Sequence, residues 1–264
     1  MPDAIKEFAA APFSLTKISY LVELLSLKKS PREKLIVILG ATATGKSSLA
    51  VQLAEILDTE IISADSMAVY KNFNIGTAKP AAHELQRVRH HLIDILEPDE
   101  RFSVAEFVSR ASEIITELNS RRKIPIVCGG TGLYIQALVE GYRFSDGAKS
   151  RAKIFSETGE LKYDALVIGL TANRAELYRR IDDRTKKMFD AGLVDEVRNL
   201  LKSGVSPSAQ AMLGIGYKET VDFLRGNCTL EETVAKISQA TRNFAKRQLT
   251  WYRRMNYINF FNIE

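Results

Sequence analysis

The chain has 264 residues, of which 45% are hydrophobic and 26% charged, and a formal net charge of +5. That length suits one large α/β domain plus an appendage, and no apolar run approaches the roughly 18 residues of a membrane span. Cys128 and Cys228 stand far apart, without C-x-x-C spacing or a histidine pair beside them, which argues against a disulfide framework or a zinc site and for a reducing, cytoplasmic setting.

Residues 1–33 are the least patterned. Ser19–Ser26 fits a short amphipathic helix, and Lys28, Lys29 and Arg32 precede the first strand. Asp3, Glu7 and Glu23 argue against an acid-poor targeting peptide, so the segment is read as an N-terminal extension without an assigned role.

Segment 34–140 reads as the catalytic core. Leu35–Leu39 is a branched apolar run, the pattern of a buried strand, and it stops at Gly40. There the sequence Gly40-Ala41-Thr42-Ala43-Thr44-Gly45-Lys46-Ser47-Ser48 satisfies G-x-x-x-x-G-K-[ST], a phosphate-binding loop. Glycines at its ends let the backbone curl so that successive N–H groups and a helix N-terminus face an anion. Lys46 would reach the outer phosphate of a diphosphate or triphosphate, and the Ser47 hydroxyl could hold Mg²⁺. A helix carrying Leu49, Val51, Leu53, Ile56 and Leu57 follows.

Next comes Glu60–Tyr70, a short apolar strand that delivers Asp65 to a strand's C-terminal end, where open parallel sheets bind ligands. Asp65 is therefore the candidate acid–base group, against a helix cap or a Mg²⁺-holding carboxylate. His90 and His91 are adjacent, and neighbours on a strand point to opposite faces, so they read as structural and not as a metal pair. Ser103–Glu106 has the capping-box pattern and opens a helix to about Leu118. A strand over Lys123–Cys128 runs into Gly129-Gly130-Thr131-Gly132-Leu133-Tyr134, whose glycines allow close backbone approach to a ligand and suggest a second wall of the same site.

Residues 141–162 are polar and weakly patterned, with a linker at Ser145–Ser150; 163–264 resume the core. Leu166–Leu170 is a strand, and Asn173 caps a helix with Leu177, Tyr178, Ile181, Met188 and Phe189 at core spacing. Arg180 and Arg184 are four apart and share a face, either as a solvated stripe or with an arginine aimed at phosphate. Ala211–Glu219 is a glycine-broken turn into a short helix, and Thr229–Glu232 caps a final long one. From Ala235 onward Lys236, Arg242, Lys246, Arg247, Arg253 and Arg254 face Glu264 alone, so this tail accounts for the whole net charge and suits a nucleic-acid backbone. Phe244, Trp251 and Met255 form a separate stripe expected to pack on the sheet.

Together the motifs GATATGKS, ISADSMAVY with IGTAKP, HHLIDI, GGTGLY, LYRRIDDR, GIGYKE and TRNFAKRQLTWYRR resemble the tRNA dimethylallyltransferases. The resemblance implies transfer of a dimethylallyl group from its diphosphate to N6 of an adenosine beside the tRNA anticodon, with Mg²⁺ assisting. It makes Asp65 the general base, Arg184 and Lys46 the groups that stabilise departing pyrophosphate, and residues 40–48 the diphosphate site. Asp65, Ser66, Met67, Ala68, Thr131, Gly216, Tyr217, Lys218, Lys246, Arg247, Gln248, Trp251 and Arg253 become tRNA-contacting residues. The implied partners are tRNA, through its anticodon stem-loop, and dimethylallyl diphosphate; no membrane partner is expected, and the protein is expected to be a monomer.

Three departures stand out. Ala68 occupies a position where the family has glutamine, and Ala41 one where it has proline. The helical tRNA-gripping insert between GGTGLY and LYRRI is reduced to 141–162, where Ile154–Gly159 looks like its tail, so weaker tRNA binding is expected. The competing readings are an adenylate isopentenyltransferase acting on free AMP, ADP or ATP, a small-molecule kinase, and a catalytically feeble RNA-binding protein. The fold expected is α/β, a P-loop NTPase-like three-layer arrangement with a mainly parallel sheet and C-terminal helices.

Overall fold

The computed structural model describes residues 11–144 and 160–264. The linker expected at 145–150 and the insert tail expected at 154–159 lie outside the described residues. Among the described residues seven strands form one sheet: β1 (Ala11–Pro12), β2 (Lys34–Gly40), β3 (Ile61–Ser63), β4 (His90–His91), β5 (Ile126–Gly129), β6 (Asp164–Thr171) and β7 (Ile258–Asn262). Their order is β1-β7-β6-β2-β5-β3-β4, and every pairing is parallel.

The apolar runs foreseen in sequence become the centre of this sheet. Ile38 of β2 stands opposite Cys128 of β5 on one side and Ile168 of β6 on the other. Both faces are covered, which is why these strands read as continuous rather than alternating hydrophobics. Ile36 and Ile38 face α1 (Leu15–Leu27) and α2 (Lys46–Ile56). Leu35, Val37 and Leu39 face a larger core built by α4 (Val104–Ser120), α5 (Gly132–Val139), α7 (Leu193–Lys202), α8 (Tyr217–Leu224) and α9 (Leu230–Tyr252). A short α3 (Ala82–Arg87) is peripheral, and α6 (Arg174–Asp190) packs on α9 through Leu177, Ile181 and Ala245, over Ala41 of the phosphate loop. Ser103, Asn173 and Thr229 cap α4, α6 and α9 with their side-chain oxygens, as the spacing predicts.

Both ends of the chain hold more than the sequence reading gave them. Residues 11–33 are integral to the sheet: β1 pairs with β7, and α1 buries Ile18, Val22 and Leu25. The Asp164 carboxyl group, 1% exposed, meets Lys28 Nζ at 2.8 Å and Arg32 Nε at 3.4 Å, anchoring α1 to β6. The C-terminus finishes in a strand, β7, not in helix; its Phe260 and Ile258 press on Gly169, where a β-carbon would lie 2.6 Å from Phe260 Cδ1.

Candidate functional site

The two glycine-rich loops that leave β2 and β5 lie at the C-terminal edge of the sheet, the edge at which open α/β sheets bind ligands. At the end of β2, Gly40 fits because any β-carbon would sit 2.5 Å from Leu170 O. Positive φ at Ala43 (66°) and Gly45 (80°) then curls the loop into α2. The Thr44 hydroxyl donates to Ala41 O at 2.8 Å, as does Lys46 Nζ at 2.8 Å. Burial lowers Lys46 to a pKa of about 8; Arg184 pushes the same way, and Cys128 and Asp65 oppose.

Asp65 follows β3, and its Oδ1 accepts the Met67 amide at 2.8 Å, an Asx turn that aims the residue into the site. The loop after β5 is sewn to this one. Thr131 N–H donates to Ala64 O at 3.1 Å, Ala64 N–H to Cys128 O at 2.8 Å, and Ser66 N–H to Thr131 Oγ1 at 3.1 Å. Gly129 is obligatory here, since a β-carbon would lie 2.3 Å from Ala64 O.

These loops enclose a cavity of about 470 Å³ lined by Thr42, Lys46, Ser47, Asp65, Ser66, Met67, Ala68, Thr131, Arg184, Tyr217, Lys218, Arg247 and Gln248. Arg184 reaches it from α6; burial lowers its pKa and the field of Asp65 opposes that shift, and its guanidinium has no hydrogen bond or ion pair among the described residues. Arg180, one turn earlier, is taken by Glu176 at 2.6 Å. Of the shared arginine face, one member is therefore aimed at the cavity and the other is a surface pair.

Several expected RNA-contacting side chains are turned inward instead. Tyr217 is 1% exposed, its hydroxyl donating to Glu196 Oε1 at 2.8 Å and its ring filling the space a Gly76 side chain would need. Gln248 is buried, with Oε1 on the Thr42 amide and Nε2 on Gly130 O, each at 2.9 Å. Trp251 packs on Gly132 and buries its indole Nε1. Lys246, Arg247 and Arg253 are exposed, and Gly216 opens α8. Arg242 is held by Asp182 at 2.5 Å beside Tyr178, so it adds little free positive charge. Phe244 was expected to pack on the sheet; it lines the cavity under Arg247. Ser48 is exposed and accepts from Gln52.

Glu196 was missed. Its carboxylate accepts from the amides of Asn74 (3.0 Å), Ile75 (2.8 Å) and Gly76 (3.2 Å) as well as from Tyr217, fixing the wall formed by residues 76–80. Nothing in the local pattern of α7 distinguishes it from a solvated glutamate. Cys128 also lines the cavity, its thiol pushed up to about 11 by burial. The histidines take separate partners, His90 on Val88 O and His91 on Glu60. No helix among the described residues is long and apolar enough to cross a membrane.

One end of the cavity thus gathers curled backbone, an ammonium and a guanidinium, and Asp65 stands on the loop beside it. That pairing can stabilise negative charge on a leaving group while a carboxylate accepts a proton. For a divalent cation, the Ser47 hydroxyl and Asp65 carboxylate are oxygen donors lining one cavity, the donor type Mg²⁺ takes alongside substrate phosphates.

The sequence profile of the IPP transferase family matches residues 68–162 and 150–255. The chain is 39% identical over 285 residues to a tRNA dimethylallyltransferase of Desulforudis audaxviator, covering 87% of this chain and 92% of the relative, and 40% identical over 287 residues to one of Carboxydothermus hydrogenoformans, covering 87% and 92%. The 285 aligned positions exceed the part of this chain they cover, so the relative carries residues that this chain lacks. Among solved structures, the full-length tRNA isopentenylpyrophosphate transferase of Bacillus halodurans superposes with a TM-score of 0.79 at 37% identity, covering 88% of this chain and 90% of that one.

Proposed function

The chain belongs to the IPP transferase family, and from that premise we propose that it moves a dimethylallyl group from dimethylallyl diphosphate to N6 of an adenosine beside the anticodon of tRNA. The observation that carries the residue assignment is the single cavity shared by Lys46, Arg184 and Asp65.

The adenine N6 lone pair attacks C1 of the allylic group as the C1–O bond breaks, and the bonding electrons leave with pyrophosphate. Negative charge grows on that oxygen. The phosphate-loop backbone, Lys46 and Arg184 lie where they lower its cost, in a partly desolvated site that strengthens each interaction. Asp65 takes the proton that N6 must lose and passes it to water. The Ser47 hydroxyl would hold Mg²⁺, which supplies further charge neutralisation on the diphosphate when bound and leaves the Asp65 carboxylate free to act as the base. The acceptor base must leave its stack to enter, which an anticodon loop allows more readily than a duplex. Lys246, Arg247 and Arg253 on and just beyond α9 would meet the RNA backbone. A monomer suffices, because one chain supplies every group named.

The shortened 141–162 segment favours a second acceptor, free AMP. Purified protein with Mg²⁺ and labelled dimethylallyl diphosphate is therefore offered an anticodon stem-loop and AMP in parallel. Label in the RNA supports the proposal; label in AMP alone replaces it with the free-nucleotide activity.

A further inference from the structure

Gln248 occupies a distinctive place: an amide side chain 5% exposed, set between two loops that the chemistry needs in register. On one side its Oε1 accepts from the N–H of Thr42, inside the phosphate loop. On the other its Nε2 donates to Gly130 O, in the loop after β5. One turn further along α9, the Tyr252 hydroxyl donates to the same Gly130 O at 2.9 Å and approaches Gly40 O at 3.4 Å. The fit around the amide is close, since a β-carbon on Gly130 would lie 2.4 Å from Gln248 Nε2.

The two loops carry opposite halves of the reaction. The phosphate loop holds the leaving group, and the Gly130–Thr131 loop anchors the Ser66 amide next to Asp65. Burying an amide is unfavourable unless both its ends are bonded, so the helix and the two loops form one satisfied unit. We propose that Gln248 is a positioning residue that sets the separation between the diphosphate loop and the Asp65 loop, holding leaving group and base at reacting distance. This rests on the transferase reading above. Substrate binding uses each loop separately, whereas transfer needs both at once, so loss of the strut falls on turnover. A misplacement of about 1 Å costs a reaction on the order of 10²-fold.

The test compares wild type, Gln248→Ala and Gln248→Glu in full-length protein. Three quantities are read: kcat and KM with dimethylallyl diphosphate and an anticodon stem-loop, thermal midpoint, and amide hydrogen exchange over 40–45 and 129–132 without ligand. Gln248→Ala is expected to lower kcat about 10²-fold while both KM values stay within about threefold, with faster exchange in both loops. Gln248→Glu keeps an acceptor for Thr42 but sets a carboxylate oxygen against Gly130 O, so it should protect 40–45 and release 129–132. A kcat within twofold of wild type, unchanged exchange, or a diphosphate KM that rises in step with the loss of kcat overturns the proposal. If wild type transfers nothing, the transferase reading fails, and the exchange pattern alone decides whether Gln248 ties the loops.

Discussion

Lys46 gives the diphosphate site a pH signature. With a pKa of about 8 in the ligand-free protein, roughly 90% of this side chain is charged at pH 7 and roughly 10% at pH 9. A diphosphate requires the ammonium, so binding above pH 8 must first protonate it, and affinity should fall about tenfold between pH 7 and pH 9. Calorimetric titration of dimethylallyl diphosphate into wild type and Lys46→Arg in one buffer series isolates the effect. The ligand's own ionisation cancels in the ratio, and the guanidinium stays charged throughout. The ratio of the two dissociation constants should rise through a midpoint near pH 8. A ratio flat within twofold would refute the burial argument. The same shift acts on stability. The folded value lies below the ordinary 10.5, so the unfolded chain binds more protons between them, and the Lys46 contribution improves as pH rises from about 8 to 10.5. Below pH 8 the full cost applies, about 3 kcal/mol at about 1.4 kcal/mol per unit. Lys46→Met should accordingly unfold later in urea at pH 7 than wild type while losing diphosphate affinity.

Arg184→Ala should lower kcat by about 10²- to 10³-fold, while Arg180→Ala, which breaks only a surface pair with Glu176, should stay within about twofold. Steady-state transfer rates separate the two. Gly129→Ala forces a β-carbon against the Ala64 carbonyl, backbone that no rotamer change can clear; a cost of about 2 kcal/mol is expected, read as a fall in thermal midpoint of about 5 °C together with lost activity. Ala68 lines the cavity, and Ala68→Gln adds an amide there; one new hydrogen bond to the acceptor base, about 1 kcal/mol, should lower the KM for RNA about fivefold.

The sheet was legible because β2, β5 and β6 are buried on both faces and so advertise themselves as unbroken apolar runs. That Asp65 and Lys46 line one cavity was legible for a related reason: each lies on or at the end of a loop that leaves a buried strand, β3 for Asp65 and β2 for Lys46. The reading weakened where one residue's role depends on a distant partner. β7 is five residues, INFFN, whose strand character comes from the β6 edge it joins. The sequence separated a basic side of the last helix from an apolar stripe but placed Gln248 among the RNA-contacting residues, and a helix distributes consecutive residues around its axis. Lys246 and Arg247 therefore face out while Gln248 and Tyr252 face in. Glu196 was beyond reach, because three of its four partners lie more than a hundred residues earlier in the chain.

The account stands most directly on the proton transfer at Asp65. An anticodon stem-loop is incubated with dimethylallyl diphosphate and Mg²⁺, digested to nucleosides and read by mass spectrometry, for wild type and Asp65→Asn. The account predicts one adenosine carrying a dimethylallyl group on N6 in the wild-type reaction and a rate at least about 10²-fold lower for the variant. An equal rate in Asp65→Asn, or the group on a ribose oxygen or another base, would contradict it.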